Sequence, residues 1–302
     1  MGKEKLSKEQ KEEILEISHR YTSSELAKMY DCSRSLILKI WMDNNYKKET
    51  NNTYYVNRNY FKQINTSNKA YVLGFIASDG TLYKRNGHSG LIQIKLQESD
   101  EQILKDILQD MDSTYPVNHV KNGNFNQVAI SITSKDLYEQ LINIGISQNK
   151  TWNLSLYNIL SHIPDEYRID FIRGYFDGDG CITKLKENKI SNVSIYFACP
   201  HEFGLDLQKF LKESYGVNSS VYIDIHRDYS NSFCNVAING ADNKYKLLKL
   251  MYYDNCLCLK RKKYRAEELI EAIENNVTNR AENRNAINNF NIGGYLYEVK
   301  RR

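Results

Sequence analysis

Tyr71-Val-Leu-Gly-Phe-Ile-Ala-Ser-Asp79-Gly80 returns about a third of the chain later as Phe171-Ile-Arg-Gly-Tyr-Phe-Asp-Gly-Asp179-Gly180, with small residues, apolar residues and the closing Asp-Gly in register. Gly74 and Ser78 in the first copy, like Gly174 and Gly178 in the second, stand at i and i+4, the spacing that shares one face of an α-helix. Glycine inside a helix costs about 1 kcal/mol against alanine, so its use in both copies points to a second backbone approaching closely. The reading is a pair of helices packed through their small faces. Gly80 and Gly180 are expected to end the helices in the left-handed conformation that glycine adopts freely. Asp79 and Asp179 then meet at one end.

That end is electrostatically poor for carboxylates, because a helix C-terminus carries partial negative charge and like charges repel. A divalent cation resolves the conflict. Magnesium or manganese takes hard oxygen ligands, retains waters and serves phosphoryl chemistry. Asp79 and Asp179, with the adjoining Gly80 and Gly180, are therefore the candidate metal-binding residues. One Asp-Gly alone would be an ordinary helix end; two in matched context carry the argument.

Leu91–Gln97 alternates apolar Ile92, Ile94 and Leu96 with polar Gln93, Lys95 and Gln97, the period of a half-buried strand. Asn126–Ile132 does the same, with Val128, Ile130 and Ile132 on one face and Gln127, Ala129 and Ser131 on the other. Between them Asp100–Asp112 has Ile103, Ile107, Leu108 and Met111 at helical spacing. After the motif helix the order is strand, strand, helix, strand, strand, helix. The second half repeats it, with strands near 181–186, 193–199, 220–227 and 233–239 and helices near 201–214 and 241–253.

These two motifs resemble those of the LAGLIDADG homing endonucleases, whose name spells the helix seen here as VLGFIASDG and IRGYFDGDG. The resemblance covers roughly residues 68–277. The second copy follows the pattern closely, whereas the first has Ala77 and Ser78 where the name has Asp and Ala. The resemblance implies an α+β fold of duplicated α-β-β-α-β-β-α units forming a pseudo-twofold, DNA-binding saddle, in a monomer. It further implies that Asp79 and Asp179 bind catalytic metals, and that Lys150 and Lys262 act near the scissile phosphate. The ligand it implies is duplex DNA, cut across the minor groove with 3′ overhangs. Gln93, Lys95, Gln97, Gln127, Lys184, Lys186, Tyr222 and Asn235 are the candidate base readers, since Gln and Lys pair with purine edges in the major groove. Each of them alone is also what a solvated strand face looks like. Two other activities of the same fold stay open: an RNA-splicing maturase that binds intron RNA, and a non-cleaving transcription regulator.

The first fifty residues read as a small all-α unit. An amphipathic helix over Glu9–Tyr21 is followed by Thr22-Ser-Ser-Glu25, which has the form of a capping box, a short helix and a third helix from Arg34 to about Asn44. The phrase TSSELAKMYDCSRSLILKIWMDNNY resembles a helix-turn-helix and would offer Ser33, Arg34, Ser35 and Lys39 to a DNA groove. Domain limits follow as 1–46 for this unit, 47–67 for a polar, tyrosine-rich linker that tracks the phosphate backbone, 68–164 and 165–277 for the repeats, and 278–302 for an Asn-rich basic tail.

A net charge of +4 permits a nucleic-acid partner without requiring one. No apolar run reaches the length of a membrane span, and MGKEKLSKEQKEE lacks the apolar core of a signal peptide. The expected location is intracellular, in cytoplasm or nucleoid, with an organelle also open. Cys32, Cys181, Cys199, Cys234, Cys256 and Cys258 show no CxxC or cysteine-histidine ladder, so they read as reduced core residues rather than metal ligands. There is no phosphate-cradling GxxxxGK loop, which argues against nucleotide-driven chemistry.

Overall fold

Strand β2 (Leu91–Gln97) buries Ile92, Ile94 and Leu96 and leaves Lys95 and Gln97 exposed, as its period of two requires. The computed structural model describes residues 6–46, 54–84, 89–122, 125–148, 154–187, 189–223 and 232–288. In it β2 pairs with β1 (Gly80–Tyr83) and β4 (Phe125–Thr133), and β4 with β3 (Asn118–Asn122), all antiparallel, in the order β1-β2-β4-β3. A second sheet of β5 (Gly180–Ile182), β6 (Ile195–Pro200), β7 (Ser219–Ile223) and β8 (Phe233–Ile238) has the same order, β5-β6-β8-β7. The fold is α+β, with one supersecondary unit used twice.

Among the described residues, one compact unit runs to Asp179 and takes in Cys256–Leu259, while the other comprises Gly180–Asn255 and the chain from Lys260 onward. The first unit opens with α1 (Lys8–Ile17), α2 (Ser23–Met29) and α3 (Arg34–Asp43), packed around Ile14, Leu26, Ile37 and Ile40. The capping box predicted at Thr22 and Glu25 is present, and Ser7 with Gln10 forms another. Arg20 pairs with Asp112 at 2.5 Å, and His19 meets the Tyr55 ring edge-on, so these helices are held to the first repeat. The repeat consists of α4 (Ser67–Asp79), the first sheet, α5 (Glu101–Asp110) and α6 (Lys135–Ile144). Ile103, Leu104 and Ile107 of α5, which packs on β2 and β4, are buried, as are Ile94, Val128 and Ile130 of the sheet and Leu137 and Leu141 of α6. It continues through α7 (Leu156–Leu160) to α8 (Arg168–Asp179), the second motif helix, which packs with α4 in this unit.

Within the segment expected as a polar linker, 47–67, the described stretch from Tyr54 onward packs inward. Val56, Tyr60, Phe61 and Ile64 are buried, Tyr60 donates its hydroxyl to Asp110, and the backbone of Asn57 and Tyr55 bonds to Met111 and Thr114. Burial, and then the charge of Asp110, push the Tyr60 phenol far up. The segment is irregular, so its inward side chains follow no period that a sequence reading could detect; residues 47–53 lie outside the described residues.

In the second unit, Phe197, Cys199, Cys234 and Val236 line the inner face of the sheet against Phe203, Leu207 and Leu211 of α9 (His201–Tyr215). Helices α10 (Ala241–Met251) and α11 (Lys260–Asn288) complete it. The backbone of α11 runs past the tail boundary expected at 278, and residues 289–302 lie outside the described residues. No disulfide joins the described cysteines, and Cys199 and Cys234 face each other across β6 and β8 with Sγ atoms 3.7 Å apart. No helix among the described residues is long and apolar enough to cross a membrane.

Candidate active site and nucleic-acid interface

Helices α4 and α8 meet through the predicted small faces, and the contact is reciprocal. A methyl placed on Gly74 would lie 2.1 Å from the carbonyl oxygen of Phe171, and one on Gly174 would lie 2.0 Å from that of Tyr71. Each glycine thus faces the carbonyl that precedes its counterpart by three residues. Further along, a methyl on Gly178 would lie 1.9 Å from Ser78 Oγ and 3.3 Å from Asp79 N, so the two motif ends adjoin. Asp79 is half-buried and Asp179 is exposed.

Glycine ends the first helix for a different reason from the one expected. Gly80 has φ −72° and ψ 147°, and Gly180 is absent from the left-handed glycines of the described chain. Both residues pass directly from helix into the first strand of a sheet, which demands extended backbone rather than a reversing turn. What excludes a side chain at Gly80 is space, since its Cβ would lie 2.6 Å from the carbonyl oxygen of Ile76.

Two groups missed by the sequence reading clasp the seam. Asp177 is 1% exposed and accepts hydrogen bonds from the Tyr71 hydroxyl at 2.8 Å and from Leu259 N–H at 2.7 Å. Arg173, fully buried, pairs with Asp170 at 2.5 Å, donates Nε–H to the Leu257 carbonyl at 3.0 Å and holds its guanidinium 5.1 Å from the Tyr71 ring centroid. Residues 256–259 are thereby strapped to the motif helices. The signal was present in the sequence: at matched positions one copy has Tyr71 and Ala77, the other Phe171 and Asp177, so hydroxyl and acid are complementary across copies.

Asp177→Ala is expected to cost about 3 kcal/mol, because it strands two buried donors. Asp177→Asn, which keeps an accepting oxygen, should cost distinctly less. Urea unfolding of both variants beside the wild type checks this, and midpoints equal to that of the wild type would mean that the clasp carries no stability.

Within the second unit Lys262 is 2% exposed and donates from Nζ to the Gly180 carbonyl at 2.6 Å. The structure thus puts this lysine beside the residue following Asp179. It also makes the Gly180 carbonyl a poorer cation ligand than sequence alone implied, because an ammonium already occupies it. Lys150, the matched lysine of the first repeat, lies outside the described residues.

The strand readers divide. Gln93 stands opposite Ser131, to which it donates at 2.9 Å, and Lys95 opposite Ala129, while Gln97 and Gln127 face each other, all on the polar side of the first sheet. Tyr222 and Asn235 face each other on the second sheet, Tyr222 exposed. Lys184 and Lys186 are exposed but not on a strand: β5 ends at Ile182, and the chain leaves the sheet after Thr183 and Ser194 close a pair of hydrogen bonds. Arg34 and Lys39 are exposed on α3, with Arg34 Nε–H donating to Ser23 Oγ at 3.0 Å.

The sequence pattern of the LAGLIDADG-like domain matches residues 166–252. That stretch takes in the second motif helix and the second sheet. The chain is similar to the uncharacterized protein MJ0398 of Methanocaldococcus jannaschii, at 23% identity over 84% of this chain and 90% of that protein. It is also similar to the uncharacterized protein MJ1054 of the same organism, at 24% identity over 60% of this chain; here the chain spans only 20% of the relative's length. Among solved structures, the homing endonuclease I-WcaI bound to its DNA recognition sequence aligns with TM-score 0.48 and 17% identity, over 69% of this chain and 91% of that one. I-DmoI in complex with DNA and Ca aligns with TM-score 0.46 and 19% identity, over 67% and 97%.

The matched LAGLIDADG-like domain contains α8 and thus Asp179, while Asp79 reaches the same place through α4. No group of three or more His, Cys, Asp or Glu among the described residues forms a cage for an ion. Two carboxylates at adjoining helix ends fit a hard cation that completes its shell with water and substrate phosphate, which is how magnesium is ordinarily held.

Proposed function

We propose that this protein is a metal-dependent, site-specific endonuclease that hydrolyses phosphodiester bonds in both strands of a long, nonpalindromic DNA duplex. The observation that carries the reading is the reciprocal glycine seam, which brings one carboxylate from each motif to the same helix-end junction. Asp79 and Asp179 are the groups that would hold Mg2+ or Mn2+. A bound ion of this kind polarises a phosphoryl oxygen and lowers the pKa of coordinated water.

The protein's own part is placement. Close helix contact keeps the two acids adjacent despite their repulsion, and Asp177 and Arg173 lock the strap that leads into α11. Lys262 contributes a fixed positive charge beside the second motif end, suited to charge developing on a phosphate. Polar side chains on the two sheets, led by Gln93, Lys95, Gln97 and Gln127 on one and Tyr222 and Asn235 on the other, read base edges. Because the two sets differ, each reads a different half-site, and Arg34 and Lys39 of α3 add contacts from the helix-turn-helix-like unit.

The test is incubation of the full chain with a supercoiled plasmid library in magnesium, followed by recovery of linear products. Reproducible cutting at one sequence, abolished by chelation, is the expected result. Binding without nicking would assign the protein to non-cleaving regulators, and no binding to duplex DNA would end the reading altogether.

A further inference from the structure

The segment that replaces the expected linker forms one wall of a cleft of about 390 Å³, whose other side includes Tyr115, Thr133, Lys135 and Asp136. Tyr54 and Tyr115 stand with ring centroids 5.2 Å apart and planes tilted by 43°, and Tyr54 is 41% exposed, so the aromatic wall is open to a ligand. The Tyr115 ring is fixed in place, since its hydroxyl donates to the Thr133 carbonyl at 3.1 Å and accepts from Thr133 N–H at 3.3 Å. Burial raises the Tyr115 phenol pKa, and the bond to the Thr133 backbone and then the charge of Arg58 pull it back, which marks the guanidinium as a neighbour of the ring. Arg58 meets its counter-ion, Asp136, at 4.0 Å, the outer limit of an ion pair, and both are substantially exposed. Lys135 is more exposed still.

The cleft also has a definite place relative to the candidate active site. Thr133 stands opposite Leu91, whereas Gly80, next to Asp79, stands opposite Ile94. Three residues of strand, about 10 Å, separate these positions. Thr133 shares the polar side of β4 with Gln127 and Ser131, so the cleft closes one end of the face that carries the proposed readers. Its volume suits a small ligand. Flat aromatic surface beside two cations suits a nucleobase joined to a phosphate, and a base offers its face only when it is out of the helical stack.

We propose that this cleft binds an unpaired nucleotide, its base lying on the Tyr54–Tyr115 wall and its phosphate meeting Arg58 and Lys135. The assignment rests on the reading of this protein as a nucleic-acid binder and not on hydrolysis. The experiment is fluorescence anisotropy of the full chain with labelled eight-nucleotide oligothymidylate, oligouridylate, oligodeoxyuridylate and an abasic chain of equal length. Oligothymidylate or oligouridylate should bind at least about tenfold more tightly than the abasic chain, the scale of one base–aromatic stack. Tyr54→Ala should remove about tenfold of that affinity and Tyr54→Phe should restore it. Arg58→Ala should weaken binding and reduce the slope of log K against log salt by about 0.7, one phosphate contact on a single strand. Preference between oligouridylate and oligodeoxyuridylate, which differ only at the 2′ position, identifies the source as RNA or DNA, and either outcome supports the assignment. Equal binding of the abasic chain, or unchanged affinity in both Tyr54→Ala and Arg58→Ala, overturns it. A protein that cuts plasmid yet fails with these oligonucleotides loses only the cleft; one that passes here and never cuts loses only the endonuclease.

Discussion

Asp179→Asn protein, given magnesium and a cleavable duplex, is expected to lose about a thousandfold or more in cutting rate while still binding the duplex. The exchange keeps size and shape, and Asp179 is exposed, so the fold has no reason to change. What disappears is a negative ligand for a cation whose transition-state contribution is several kcal/mol, at about 1.4 kcal/mol per tenfold in rate. Asp79→Asn is expected to behave likewise, since the two motifs supply one carboxylate each. Single-turnover cutting and gel-shift binding on the same preparations separate the two effects. Wild-type rates in either variant would remove the acids from the chemistry, and loss of binding together with cutting would make them structural.

Gly74→Ala and Gly174→Ala are expected to destabilise the first unit by an amount at the upper end of the roughly 1–3 kcal/mol typical of overpacking. Alanine is the better helix former by about 1 kcal/mol, so an isolated helix would gain from either change. In the folded chain the new methyl would meet a backbone carbonyl oxygen at 2.1 Å or 2.0 Å, and backbone, unlike a flexible side chain, cannot swing away. The helices must separate. Once they have done so for the first methyl, the second finds part of its room already made, so the double variant should cost less than the sum. Urea midpoints report the energies, and cutting rates should fall in parallel as the two acids move apart. An unchanged midpoint in both single variants would show that the seam is looser than its geometry states.

Much of this architecture was legible in one dimension because it obeys simple periods. Strand alternation placed Ile92, Ile94 and Leu96 inside, helical spacing paired Gly74 with Ser78 and Gly174 with Gly178, and repetition of the whole order showed that one unit occurs twice. Expectations failed where the period or the local signal ran out. Lys184 and Lys186 follow a strand that stops after three residues, and Val56, Tyr60, Phe61 and Ile64 are buried without belonging to any regular element. Asp-Gly predicts a turn at Gly80, yet its backbone is extended because a strand begins there.

From its residues alone, this chain specified two matching motif helices with small faces and terminal acids, for these depend on neighbours three or four positions away. Folding in three dimensions decided what no local spacing contains: that Gly74 abuts the Phe171 carbonyl, that Asp177 finds both the Tyr71 hydroxyl and the strap at Leu259, and that Lys262 reaches the Gly180 carbonyl. Those contacts join residues about eighty or more positions apart, and the close packing of a protein interior, not chain connectivity, selects them.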